Sequence, residues 1–176
     1  MFGRWLKNVT EPRVLEGAEH LEAEVRTVLR NADQGTVKVV TAIAGLLGAV
    51  AYADREYSDG EEALVRSELQ RIQGMTPEGV EAICSLLRKH IVEVATVQTP
   101  RYCRALVELA DRELRLEVLQ LLVDVAAADG TIRQSETNLV RGLAVALGLD
   151  QDDYNAAQAK HRDRLAVVRP PDPSMT

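Results

Sequence analysis

Two stretches of this chain carry one pattern. The run GLLGAVAYADREYSDGE, Gly45 to Glu61, aligns without a gap on QLLVDVAAADGTIRQSE, Gln120 to Glu136, at a constant displacement of 75 residues. Asp54 falls on Asp129 and Glu61 on Glu136. The apolar positions follow, Ile43 with Val118, Leu46 with Leu121, Leu64 with Leu139 and Val65 with Val140. Repetition at this period signals copies of one supersecondary unit that share a core. Each copy reads as an apolar helix that shrinks to alanine, an acidic turn, and a second periodic helix. The two halves run over about 36–83 and about 111–158.

Composition decides what the halves are made of. Hydrophobic residues make up 46% and charged residues 27% of the 176, an ordinary globular balance, but aromatics are only 3%. The core is therefore aliphatic and alanine-rich, which suits close helix–helix contact. No period-2 run of β-branched residues extends beyond a few positions, so no strand is expected. The fold class is all-α, a duplicated pseudo-twofold domain of about eight helices over 31–165. The apolar stretch Val39 to Ala53 is 15 residues long and closed by Lys38 and Asp54. That is short of the roughly 20 residues that span a bilayer, so it reads as a buried core helix and no transmembrane segment is expected.

Punctuation places the remaining elements. Residues 1–30 form an N-terminal flap, with the only Phe and Trp in Phe2-Gly3-Arg4-Trp5, and a helix opened near Thr10-Pro12. Ser58, Thr76-Pro77, Thr99-Pro100 and Asp150 mark helix starts; Gly74 and Gly148 mark helix ends. Gly45 and Gly48 weaken the first core helix unless another helix approaches closely, and Ala126 and Ala127 of the second core helix are the expected partners. Pro170, Pro171 and Pro173 mark residues 166–176 as an exposed, disordered tail.

Several function classes fall away. A net charge of −6 argues against nucleic acid, whose phosphates need a dense cationic face. Cys84 and Cys103 sit in apolar helical patterns without a CxxC motif and read as buried free thiols. His20, His90 and His161 are scattered, no glycine-rich phosphate loop lies between a strand and a helix, and an enzyme is not expected.

What remains is the acidic pairs. Asp54, Glu61, Asp129 and Glu136 are four carboxylates at equivalent places, and clustered carboxylates need a cation or a proton to coexist. Each also has a local structural role open to it. An Asp readily accepts turn N–H groups, and Ser58-Asp59-Gly60-Glu61 reads as a capping box. Arg133 stands in the place of Ser58 in the second copy, so Glu136 keeps its position without that hydroxyl. The EF-hand spacing fails in both copies, with Asp59 and Gln134 where Gly is required and Val65 and Val140 where a bidentate Glu is required. Any ion must therefore be shared between the two turns or have its shell filled out by water. Hard oxygen ligands favour calcium or magnesium over zinc.

Ala126-Ala127-Ala128-Asp129-Gly130, followed by Glu136, Leu139, Leu143 and Leu147-Gly148-Leu149, resembles the TerB-like tellurite-resistance family. Gln34-Gly35-Thr36-Val37 leading to Ala51-Tyr52-Ala53-Asp54 is similar to that family's first half, with Arg55 where the family usually has Gly. The resemblance spans roughly 31–154. It implies a cytoplasmic, pseudo-twofold helical domain linked to chemical stress, with protein partners that include membrane-bound ones. It also implies an acidic cluster holding a divalent metal, placed here on Asp54, Glu61, Asp129 and Glu136, with Glu56 and Asp59 as additional candidates. The expected function is a divalent-metal-binding sensing or adaptor domain, with calcium the first choice of ion. The competing expectation is a metal-free interaction scaffold that uses the same acidic face.

Overall fold

The structure is a computed structural model that describes residues 16–128 and 132–161. The N-terminal flap, the opening of the first helix, Asp129 and the Pro-rich tail lie outside the described residues. Among those described the chain is all-helical: α1 (Glu16–Val28), α2 (Gln34–Ala51), α3 (Asp59–Gln70), α4 (Pro77–Glu93), a π-helical turn (Val94–Gln98), α5 (Thr99–Leu109), α6 (Arg112–Ala126), α7 (Gln134–Ala146) and α8 (Gln151–Ala159).

The α2 helix organises the rest. Its residues from Val40 to Ala51 are all buried, so it presents no polar face and must be enclosed on every side. Neighbours on α1, α3, α4, α5, α6 and α7 do this. It is long and apolar enough to cross a membrane by length and composition, yet most of it is buried inside the domain. Asp33 opens it, accepting the Thr36 N–H at 3.0 Å; that hydrogen bond holds the Asp33 carboxyl below its ordinary pKa.

The remaining starts follow the same chemistry. Ser58 accepts the Glu61 N–H, Thr76 the Gly79 N–H, Asp111 the Leu114 N–H and Asp150 the Asp153 N–H. Gly148 closes α7 with φ 69°; α3 ends earlier than expected, at Gln70, and Gly74 (φ 91°) lies in the turn beyond it. The ends of α2 and α6 lie 75 positions apart, at Ala51 and Ala126, as do the starts of α3 and α7, at Asp59 and Gln134.

Two expectations are corrected. α5 starts at Thr99, as Thr99-Pro100 predicts, but no loop precedes it: α4 runs on through the π turn. Pro100 has no N–H to continue a regular ladder, and the chain widens into the π turn instead of ending. There Thr99 Oγ1 donates to the Val94 and Ala95 carbonyls at 3.3 and 3.0 Å. A kink at His90 (φ −117°, ψ 18°) precedes the turn.

The second correction concerns the glycines of α2. They do not meet the alanines of α6. A methyl group on Gly45 would overlap the Tyr102 ring of α5, 2.7 Å from its Cζ. One on Gly48 would press on Leu87 and Ile91 of α4 at 3.2 and 3.3 Å. The small residues admit an aromatic ring and two aliphatic side chains, because the chain from α4 to α5 wraps around α2.

The predicted consequence separates two glycine-to-alanine changes. Gly45→Ala should destabilise the domain by about 1–3 kcal/mol through overpacking against Tyr102. Gly142→Ala, with no atom within 4 Å of the added methyl, should stabilise it by roughly 0.5–1 kcal/mol through helix propensity. Urea denaturation midpoints of the two variants check this.

Candidate metal centre

The first acidic turn begins after α2 has ended. Asp54 lies three residues beyond Ala51, so it is a turn residue and not part of the last helical turn. Its Oδ1 accepts the Glu56 N–H at 3.0 Å, an Asx-type contact that shapes the turn. Between them Arg55 takes φ 69°, the left-handed region. The turn therefore keeps the conformation that glycine adopts freely, and an arginine bears it at about 1–2 kcal/mol. The Asp54–Glu56 hydrogen bond helps hold it there.

Glu61 and Glu136 have equivalent local roles. Glu61 Oε2 accepts the Ser58 N–H at 2.6 Å while its own N–H donates to Ser58 Oγ at 3.2 Å, a full capping box. Glu136 Oε2 accepts the Arg133 N–H at 2.7 Å. An arginine side chain has no acceptor, so the reciprocal half of the box cannot form through Arg133. Both carboxylates also lie in the first helical turn, where the macrodipole favours negative charge.

Arg133 has a different use. Its guanidinium forms an ion pair with Asp54 Oδ2, joining the turn after α2 to the residue that opens α7. The Asp54 side chain is only 19% exposed at this contact. This one contact joins Asp54 to the residue that opens α7, while Glu61 and Glu136 each cap their own helix. Asp129, the fourth expected ligand, lies outside the described residues.

The two additional candidates divide. Glu56 is exposed. Asp59 turns away to Arg88 of α4 at 2.7 Å. Arg88 also binds Glu62, whose hydrogen bond raises the guanidinium pKa further. Glu62 in turn pairs with Arg66 at 2.8 Å, and Arg66 reaches Glu81 at 2.9 Å. This lattice fastens the start of α3 to α4. Arg88 also lies over the Tyr57 ring, 5.5 Å from its centroid. Sequence reasoning overlooked Arg133 and Arg88 as partners of the acidic residues. The signal for the first was present, an arginine substituted into an otherwise acidic repeat.

The donor chemistry suits a hard divalent ion, since every candidate is a carboxylate. A cation at Asp54 must share or displace the Arg133 guanidinium. Among the described residues no three His, Cys, Asp or Glu side chains stand grouped as metal ligands.

A family model described as tellurite resistance protein TerB matches residues 40–159, more than half of the chain. The chain belongs to the TerB family. The match covers both acidic turns and starts inside α2. No curated protein and no solved structure gives a significant match.

Other reactive groups are held in structural settings. Cys84 and Cys103 are free and buried. Burial pushes each thiol up from its ordinary 9.0 to about 11. His161 meets Asp124 at 2.8 Å. His20 and His90 pair edge to face at 5.8 Å, and His90 Nε2 is buried with no hydrogen-bond partner among the described residues.

Two outcomes follow. Arg55→Gly should raise stability by about 1 kcal/mol, since only the left-handed backbone is relieved; thermal unfolding measures it. A raised folded-state thiol pKa means the folded form holds protons that the unfolded form releases. The contribution of Cys84 and Cys103 is therefore complete below about pH 9 and lost as pH rises through about 11. Native alkylation at pH 8 should label neither thiol, and unfolded protein should label both.

Proposed function

We propose that this chain is a non-catalytic, cytoplasmic stress-response domain of the tellurite-resistance type that binds a divalent cation, calcium by preference, between its two acidic turns. The observation that carries the reading is the Asp54–Arg133 contact, which brings the turn after α2 against the start of α7. Asp54, Glu61 and Glu136 would supply oxygen ligands from that region. Asp129 is the fourth ligand by its place in the repeat, and Glu56 is near enough in sequence to add one. Equal spacing of the helix ends and starts supports a duplicated, pseudo-twofold unit, in which equivalent turns converge. A bound ion would exchange Arg133 for metal at Asp54, and this exchange would alter the face offered to protein partners, membrane-bound ones among them.

A specific observation favours the second reading, a metal-free docking scaffold. Arg133 already neutralises Asp54, and backbone N–H groups already hold one oxygen of Glu61 and of Glu136. On that reading the carboxylates shape turns and caps, and the acidic face serves basic partners directly.

Calorimetric titration separates the two. Calcium should bind the native protein and raise its melting temperature, as any ligand selective for the folded state does. Arg133→Ala should bind calcium about 3- to 5-fold more tightly, the equivalent of losing a competing surface ion pair worth up to ~1 kcal/mol. The Asp54→Asn, Asp129→Asn double variant should lose the response. No heat with calcium, magnesium or manganese at millimolar concentration, in either the native protein or Arg133→Ala, would leave the scaffold reading in place.

A further inference from the structure

One open cavity of the described domain lies apart from the acidic turns. It is a groove of about 580 Å³ between α2, α3 and α6, floored by aliphatic side chains that include Val39, Ile43, Ile72, Val118 and Leu121. Val39, Ile72 and Leu121 are only partly buried, so the floor meets water. Three carboxylates, Glu68, Glu117 and Asp124, and two cations, Arg71 and Lys160, stand around it. Arg71 is matched to Glu68 at 2.8 Å, and Glu117 has no ion-pair partner among the described residues. The rim is net negative.

Lys160 and His161 stand at one edge of this groove. Lys160 lines it, and His161 is fixed by the 2.8 Å contact to Asp124, itself a lining residue. The sequence then continues Arg162-Asp163-Arg164-Leu165-Ala166-Val167-Val168-Arg169 before the prolines. That segment pairs an aliphatic run with flanking arginines, the complement of an aliphatic floor with an acidic rim. Its reach is sufficient. The lining residues of α6 run from Asp124 to Leu114, about 15 Å of helix at 1.5 Å per residue. Seven extended residues from Arg162 to Val168 cover up to roughly 23 Å.

We propose that this groove is the docking site of the chain's own C-terminal segment, with Leu165, Val167 and Val168 on its floor and Arg162, Arg164 and Arg169 at its acidic rim. The exposed tail read from the sequence then begins at Pro170. An aliphatic run next to an open aliphatic groove buries itself at little cost in chain entropy, because the tether is short. The interaction is independent of the metal reading, since none of the proposed ligands lines the groove.

Methyl NMR on the full chain tests this. Nuclear Overhauser contacts should link the methyls of Leu165, Val167 or Val168 to those of Val39, Ile43 or Leu121 within one molecule. In the Leu165→Asp, Val167→Asp double variant the groove methyl resonances should shift, and the melting temperature should fall by about 3–6 °C. A Pro171→Ala variant should leave both unchanged. Absence of these contacts in the native chain, with groove methyls unmoved in the double variant, overturns the proposal. Contacts seen only between differently labelled molecules also overturn it, and assign the groove to a second copy.

Discussion

Everything in this domain is arranged to keep water from α2. A helix buried from Val40 to Ala51 has no amphipathic stripe to orient it, so its neighbours must surround it and its position is set by shape. Gly45 admits the Tyr102 ring and Gly48 admits Leu87 and Ile91. These contacts need α4 and α5 to lie along the same helix, which the His90 kink and the π turn allow. An ordinary break at Pro100 would direct α5 elsewhere. The packing of one apolar helix thus accounts for the least regular part of the backbone.

The same enclosure positions the acidic turns. Because α2 is fixed along its length, its exit at Ala51 is fixed, and Asp54 follows in a turn held by the Glu56 N–H. The strained Arg55 backbone sits there for the same reason, between an anchored helix end and the capped start of α3. From that turn Asp54 reaches Arg133. The contact offsets the charge of Asp54. On the proposed reading, this ion pair is what a cation would exchange with.

Much of the local structure was legible in the sequence. Ser58, Thr76 and Asp150 each cap the helix expected of them, and Gly148 takes its left-handed turn, because these signals involve residues three or four apart. The family match runs over both acidic turns. Contacts between distant elements were not legible. Periodicity shows that Gly45 needs a close neighbour but does not distinguish Tyr102 from an alanine of α6. Nor does it show that Arg133, replacing a capping serine, would use its length to reach Asp54. Thr99-Pro100 opens α5 as expected, but the π turn that replaces a loop before it has no local sequence signal.

The central claim is that both acidic turns serve one cation. Manganese, a paramagnetic ion of similar ligand preference, tests it most directly through line broadening in an amide spectrum of the full chain. The account predicts that amides around Asp54–Glu61 and around Asp129–Glu136 broaden together, with one common midpoint in manganese and reversal by excess calcium. Broadening confined to one turn, or spread evenly over the acidic surface with no shared midpoint, would contradict it.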